Sequence, residues 1–149
     1  MAYQAKRKEV YQEEFQLVKA DGTIAHTLHV SLDADSVVRK LSEKQLALVH
    51  ALQDIKRYQQ QDGQGEPVKE WETLGGVLVD LLEAVFGQAD ARTIIDFYEN
   101  RYLEMCQEVL PFITGTVIPQ VRKISQNSRK EVLSKYSRKQ LRKEQGSRD

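Results

Sequence analysis

Asp80 and Glu83, Asp96 and Glu99, and Glu104 and Glu108 are carboxylate pairs at helical spacing, the residue types that could hold a metal ion or move protons. A metal site inside a helical bundle also needs inward histidines, usually in a Glu-x-x-His pair. The chain has no histidine after His50, so these carboxylates are expected to line solvated helix faces. His26 and His29 lie three apart in a strand-like segment and therefore point to opposite faces, while His50 stands alone; joint zinc ligation is not expected. Cys106, beside Met105 in an apolar helix, is expected to be a small buried residue. Gly63-x-Gly65 lacks the preceding strand, the third glycine and the lysine of the common phosphate-binding fingerprints. No nucleophile and base can be paired from local spacing. The expectation is a non-enzymatic protein with no catalytic, cofactor-binding or metal-ligating residues and no cofactor.

Charge is the next source of chemistry. The chain has 149 residues, with 22 basic side chains balancing 22 acidic ones, which argues against a whole-surface nucleic-acid or membrane binder. The balance is local nowhere past the first third. Residues 62–110 hold eleven acidic side chains against three basic ones, Lys69, Arg92 and Arg101, whereas residues 120–149 hold ten basic against three acidic. Such a dipolar chain is expected to self-associate or to meet a partner in a salt-sensitive way. Arg122, Lys123, Arg129, Lys130, Lys135, Arg138, Lys139, Arg142 and Lys143 could also track a nucleic-acid backbone. Tyr136 is the one aromatic residue among them, so a base-stacking platform is missing and nucleic acid is disfavoured.

The elements that carry these residues are mainly helical. Hydrophobic residues make up 40% of the chain and charged ones 30%, suited to a single core that buries about 70% of the unfolded surface. One cysteine excludes an intrachain disulfide framework. No apolar run reaches membrane-spanning length, and MAYQAKRKEVYQEEF lacks the apolar stretch of a secretory signal. VYQEEFQLV (10–18) and TIAHTLHV (23–30) flank Asp21-Gly22 and predict a β-hairpin with Ile24, His26, Leu28 and Val30 on one face. Two strands alone are marginal, so the hairpin must lie on the helices or join strands of another subunit.

Val38, Leu41, Leu48, Leu52 and Ile55 predict a helix over 37–61, with Gln45 in the missing position and Ser42-x-x-Gln45 as a capping box that breaks it. A flexible loop is expected from Gln59 to Pro67. Trp71, Leu74, Leu78, Leu81 and Val85 predict a helix over 68–86 with Gly87 as its C-cap; Gly75-Gly76 makes its start loose or closely approached by a neighbour. Ile94, Ile95, Tyr98, Tyr102, Met105 and Val109 predict a helix over 90–110, ended or kinked by Pro111. Trp71, Leu78, Leu81, Phe97, Tyr98 and Met105 are expected to define the core. Phe112 to Pro119 reads as a packed connection, and a last helix starts after Pro119 and runs into a solvated, then disordered, basic end. The fold class is therefore mainly α: a small helical domain with an N-terminal β-hairpin and a basic C-terminal helix or tail. Its parts are the hairpin segment (1–30), the helical core domain (31–125) and the basic helix or flexible tail (126–149).

This order of features resembles the tail assembly chaperones of long-tailed bacteriophages of Gram-positive bacteria. The resemblance spans roughly residues 10–143 and is carried by VLVDLLEAVFGQADARTIIDFYENRYLEMCQEVLPFI (77–113), above all by LLEAVFGQADARTIIDFYENRY, together with the basic end that includes Lys135-Tyr136. It implies a non-enzymatic viral protein of the host cell cytoplasm, absent from the mature virion. It further implies binding to the tape measure protein, recruitment of tail tube protein during tail morphogenesis, and the short, non-frameshifted form of the protein. A nucleic-acid-binding or adaptor protein acting through the basic C-terminal segment is the alternative.

Overall fold

The structure is a computed structural model that describes residues 1–61, 65 and 67–146, with side chains as far as Tyr136. It is mainly helical, with an N-terminal antiparallel hairpin. Strands β1 (Tyr11–Val18) and β2 (Ile24–Leu32) pair through a turn at Asp21-Gly22, where Gly22 takes φ 90°. Asp21 Oδ1 accepts hydrogen bonds from the Thr23 hydroxyl at 2.6 Å and the Thr23 N–H at 2.9 Å, which hold its carboxyl below the usual carboxylate range. A bulge between Leu17 and Val18 shifts the register, so Val18 pairs with Ile24 and Leu17 with His26. Ile24 is consequently exposed, against the expected face, while Leu28, Val30 and Leu32 are buried. Gln12, Glu14, Gln16, Thr27, His29 and Ser31 form the polar outer face.

Helix α1 (Ala34–Gln61) begins one turn earlier than its apolar spacing suggests. Val37 N–H closes the first helical bond on the Asp33 carbonyl, and Asp35 places negative charge in the first turn, where the helix dipole favours it. No break occurs at Ser42: the helix is continuous, and Gln45 serves tertiary structure by accepting a 2.6 Å hydrogen bond from Arg122. Leu41, Leu48, Ala51 and Ile55 are buried, whereas Leu52 stays largely exposed. Gln59–Gln61 belong to α1, and the rest of the expected loop falls largely on residues 62–64 and 66, which lie outside the described residues.

Helix α2 (Val68–Phe86) occupies the centre, with Leu78, Leu81 and Leu82 fully buried. Lys44–Asp80 at 3.7 Å and the cleft that Ala51, Asp54 and Tyr58 share with Lys69, Glu70 and Thr73 show α1 and α2 running antiparallel. Gly87, at φ 83°, ends α2 and starts helix α3 (Gln88–Phe97) at once: its N–H bonds Glu83 O and its own carbonyl accepts from Ala91. The hairpin lies on this layer, with Phe15 4.7 Å from Phe112 and 5.4 Å from Phe86 between ring centroids.

The helix expected over 90–110 is divided in two. Glu99 and Asn100 adopt left-handed conformations, φ 52° and 63°, and turn the chain between α3 and helix α4 (Tyr102–Glu108). Asn tolerates this region and leaves no glycine or proline behind as a signal. Trp71, Phe97 and Tyr98 pack against the core only half-buried, whereas Met105, Val109, Leu78 and Leu81 are wholly inside.

Phe112 to Pro119 also differs from expectation, because the chain stays helical throughout. Helix α5 (Leu110–Phe112) passes into a π-helical turn (Ile113–Val117) and then helix α6 (Ile118–Gly146). Pro119 lacks an N–H and its ring crowds the carbonyl one turn back; the widened turn before it relieves that clash. Helix α6 runs to Gly146; residues 147–149, at the end of the expected tail, lie outside the described residues. The boundaries expected at 30/31 and 125/126 fall inside β2 and α6 respectively.

Truncating Leu78 to alanine should cost about 2 to 5 kcal/mol in denaturant unfolding, and a loss under about 0.5 kcal/mol would contradict its place in the core. Ser125 is 2% exposed and its hydroxyl has no hydrogen-bond partner among the described residues. Ser125→Ala should therefore raise stability, by about 1 kcal/mol in the same assay.

Candidate functional site

The carboxylates singled out by spacing do not converge. Asp80 pairs with Lys44 at 3.7 Å, Asp96 with Arg92 at 3.3 Å, and Glu99 and Glu104 with Arg101 at 3.4 and 3.8 Å, all as surface ion pairs of small energetic weight. Among the described residues no group of three or more His, Cys, Asp or Glu side chains lies close enough to share a metal ion. His26 sits edge-on to Phe97 at 6.4 Å, His29 is on the outer face of the hairpin opposite Glu14, and His50 is exposed on α1.

Protonation follows burial. Cys106 is half-buried and its thiol is pushed up from its ordinary value by desolvation. Burial, reinforced by Glu13, which accepts the Tyr11 hydroxyl at 3.2 Å, pushes Tyr11 up to about 12. Tyr98 is raised by burial and by the nearby charges of Glu108 and Glu104. Each of these shifts favours the neutral form, opposite to what an activated nucleophile requires.

What the fold does assemble is a pair of exposed apolar surfaces at opposite ends. The first is the free end of α6. Arg122 meets Gln45 in the middle of α1, and Ile124 and Ser128 meet Asp33, Ala34 and Asp35 at its start, so α6 runs back along α1 and leaves it there. At 1.5 Å per residue, the stretch from Ser128 to Gly146 projects by about 27 Å. It carries Val132, Leu133 and Tyr136, which are 55%, 67% and 59% exposed, among Arg129, Lys130 and Lys135. The extended N-terminal segment touches its base, where Lys8 lies 3.7 Å from Glu131 and 3.5 Å from the Ser128 hydroxyl.

The second surface is a groove of about 430 Å³ between the start of α2 and α4, lined by Val68, Trp71, Glu72, Leu74, Tyr102 and Leu103. The Glu99–Asn100 turn sets Tyr102 against α2 beside Gly75, where a Cβ would stand 3.6 Å from the Tyr102 ring, an ordinary van der Waals contact. A Cβ would therefore be accommodated at Gly75, and Gly76 faces open space, so close packing requires neither of the paired glycines. Glu72 lines the groove, and Glu99 and Glu104 stand close to its walls in the chain, against Arg101; Lys69 and Glu70 line the cleft on the α1 side of α2 instead. Sequence spacing assigned Tyr102 to the core stripe and passed over Leu103, whose position off that stripe is the one trace of the groove.

The chain matches no protein-family model, no curated protein and no solved structure. No helix among the described residues is long and apolar enough to cross a membrane.

Because the left-handed turn aims Tyr102, Asn100→Val should strain it and lower stability by about 1 to 2 kcal/mol. Asn100→Gly should be tolerated, and equal unfolding midpoints for the valine and glycine variants would contradict the role of the turn.

Proposed function

We propose that this chain is a non-enzymatic tail assembly chaperone of a long-tailed phage, acting in the host cytoplasm. It shields the apolar helices of a tape measure protein, recruits tail tube subunits to them, and associates with further copies of itself. The observation that carries this reading is the segment from residue 77 to 113, whose sequence of apolar helix, Phe86-Gly87, acidic turn and Ile94-Ile95-x-Phe97-Tyr98 resembles that family.

Its physical features support the role. A chaperone for long apolar helices must offer apolar surface without collapsing on itself, and single exposed apolar residues spread along charged helices meet that need. Leu46, Val49 and Leu52 on α1, the α2–α4 groove and the end of α6 are such surfaces. The hairpin adds two strand edges that have no strand partner among the described residues.

Co-expression with the tape measure protein encoded beside it should keep that protein soluble, and deleting residues 126–149 should weaken this while leaving the body folded. The deletion removes eight basic side chains and, past Ser125, no buried apolar side chain among the described residues. A truncated protein that solubilises the tape measure as well as the intact one would count against a role for this segment. Tight duplex or single-strand binding that falls steeply with salt, with no effect on the tape measure, would instead favour the nucleic-acid reading.

A further inference from the structure

We propose that copies of this chain join head to tail, the projecting end of α6 from one copy seating Val132, Leu133 and Tyr136 in the α2–α4 groove of the next. The proposal deepens the self-association in the proposed function and rests on that part of it, not on the identity of the client.

Chemical fit is the first argument. Val132, Leu133 and Tyr136 fall at i, i+1 and i+4, so they form one apolar knob on a helix. The groove has apolar walls from Val68, Trp71, Leu74, Tyr102 and Leu103, and its volume lies within the range of clefts that hold apolar ligands. Trp and Tyr at its floor and rim are the side chains that most often anchor protein interfaces. Charge then complements shape. Arg129, Lys130 and Lys135 accompany the knob, where Glu131 is engaged by Lys8, while Glu72 lines the groove, Glu104 follows Leu103 in the chain, and Arg101 is already engaged by Glu99 and Glu104.

Position is the second argument, and it decides between one copy and two. The groove lies where α2 begins, beside the last turns of α1, because α1 and α2 are antiparallel. The knob lies past the first turn of α1. The 28 residues of α1, about 42 Å of helix, separate the two, and α6 leads away from the groove. A continuous helix cannot fold back over that distance, so the knob reaches a groove only on another molecule. Contact between two different surfaces is heterologous; unless the rotation per copy closes a ring, it grows into an open filament.

The test uses two double variants at exposed positions, Leu133→Asp with Tyr136→Asp to block the knob and Val68→Asp with Leu103→Asp to block the groove. By sedimentation velocity at low salt, the unaltered chain should show a mass that climbs with concentration, while each double variant stays monomeric. Mixed in equal amounts, the two should form a single heterodimer, because one intact knob then meets one intact groove and neither end can extend. Should the groove variant lose its helical circular dichroism, Glu72→Lys with Glu104→Lys replaces it, with an expected weakening of about tenfold or more. Four results would overturn the proposal: a monomeric unaltered chain, a plateau at an unaltered dimer, variants that associate like the parent, or a mixture that stays monomeric. Client solubilisation is scored separately, so a failure of the chaperone reading leaves the mass series intact and the reverse also holds.

Discussion

Burial of α2 is the constraint on which the rest of the body depends. Leu78, Leu81 and Leu82 have no exposed surface, and they achieve this because α1, α3, α4 and β2 each cover a different part of the helix. Hydrophobic burial is non-directional, so it compacts the chain without choosing a topology. Direction comes from a few local devices at the ends of α2. Gly87 swings the chain into α3 with no intervening residue, and the left-handed pair Glu99–Asn100 sets the Tyr102 ring against the start of α2. The hairpin then covers what the helices leave open, pinned by the tilted stack of Phe15, Phe86 and Phe112. A two-stranded sheet is marginal by itself. Here its stability is borrowed from that aromatic contact and from Leu17, Leu28 and Val30 in the common core.

Elements with strong periodicity and explicit punctuation were legible from the residues alone. The bounds of α2, the cap at Gly87 and the Asp21-Gly22 hairpin follow from glycine chemistry and apolar spacing, and each stands as expected. Three features were not legible, for separate physical reasons. The turn at Glu99 and Asn100 uses ordinary residues in left-handed conformations, and apolar spacing continues across it from Ile95 to Met105. The stretch from Phe112 to Pro119 contains Gly115 and Pro119 and follows Pro111, all normally breakers, yet a widened turn carries the helix through them. Gln45 looked like part of a capping box because its spacing from Ser42 is right; its partner, Arg122, is 77 residues away, and no local rule reports that contact.

Of the candidate site, the charge asymmetry was visible and its geometry was not. A count of charges says that residues 62–110 are acidic and the C-terminal end basic. It does not say whether the two would neutralise each other within one molecule. That depends on the antiparallel passage of α1 against both α2 and α6, which sends the acidic groove and the basic helix end to opposite poles. Intramolecular neutralisation is thereby prevented, and the opposite charges remain available to steer an encounter between molecules.

The persistence of α6 beyond the body has its own physical account. A free helix of this length in water is marginal because its first turn is entropically costly to form. In α6 that cost is met elsewhere: Ile118, Val121 and Ser125 are already held against the rest of the protein, and each further residue only extends an existing helix. The projecting stretch is rich in Arg, Lys, Glu, Gln and Leu, all good helix formers, and Glu131 precedes Lys135 by one turn in the favourable orientation. Thin apolar content goes here with side chains that, among the described residues past Ser128, are exposed on a continuous helix. A helix that is formed in advance but unpacked loses little backbone freedom on docking, so its few apolar side chains can contribute to binding more fully than the same residues on a disordered tail.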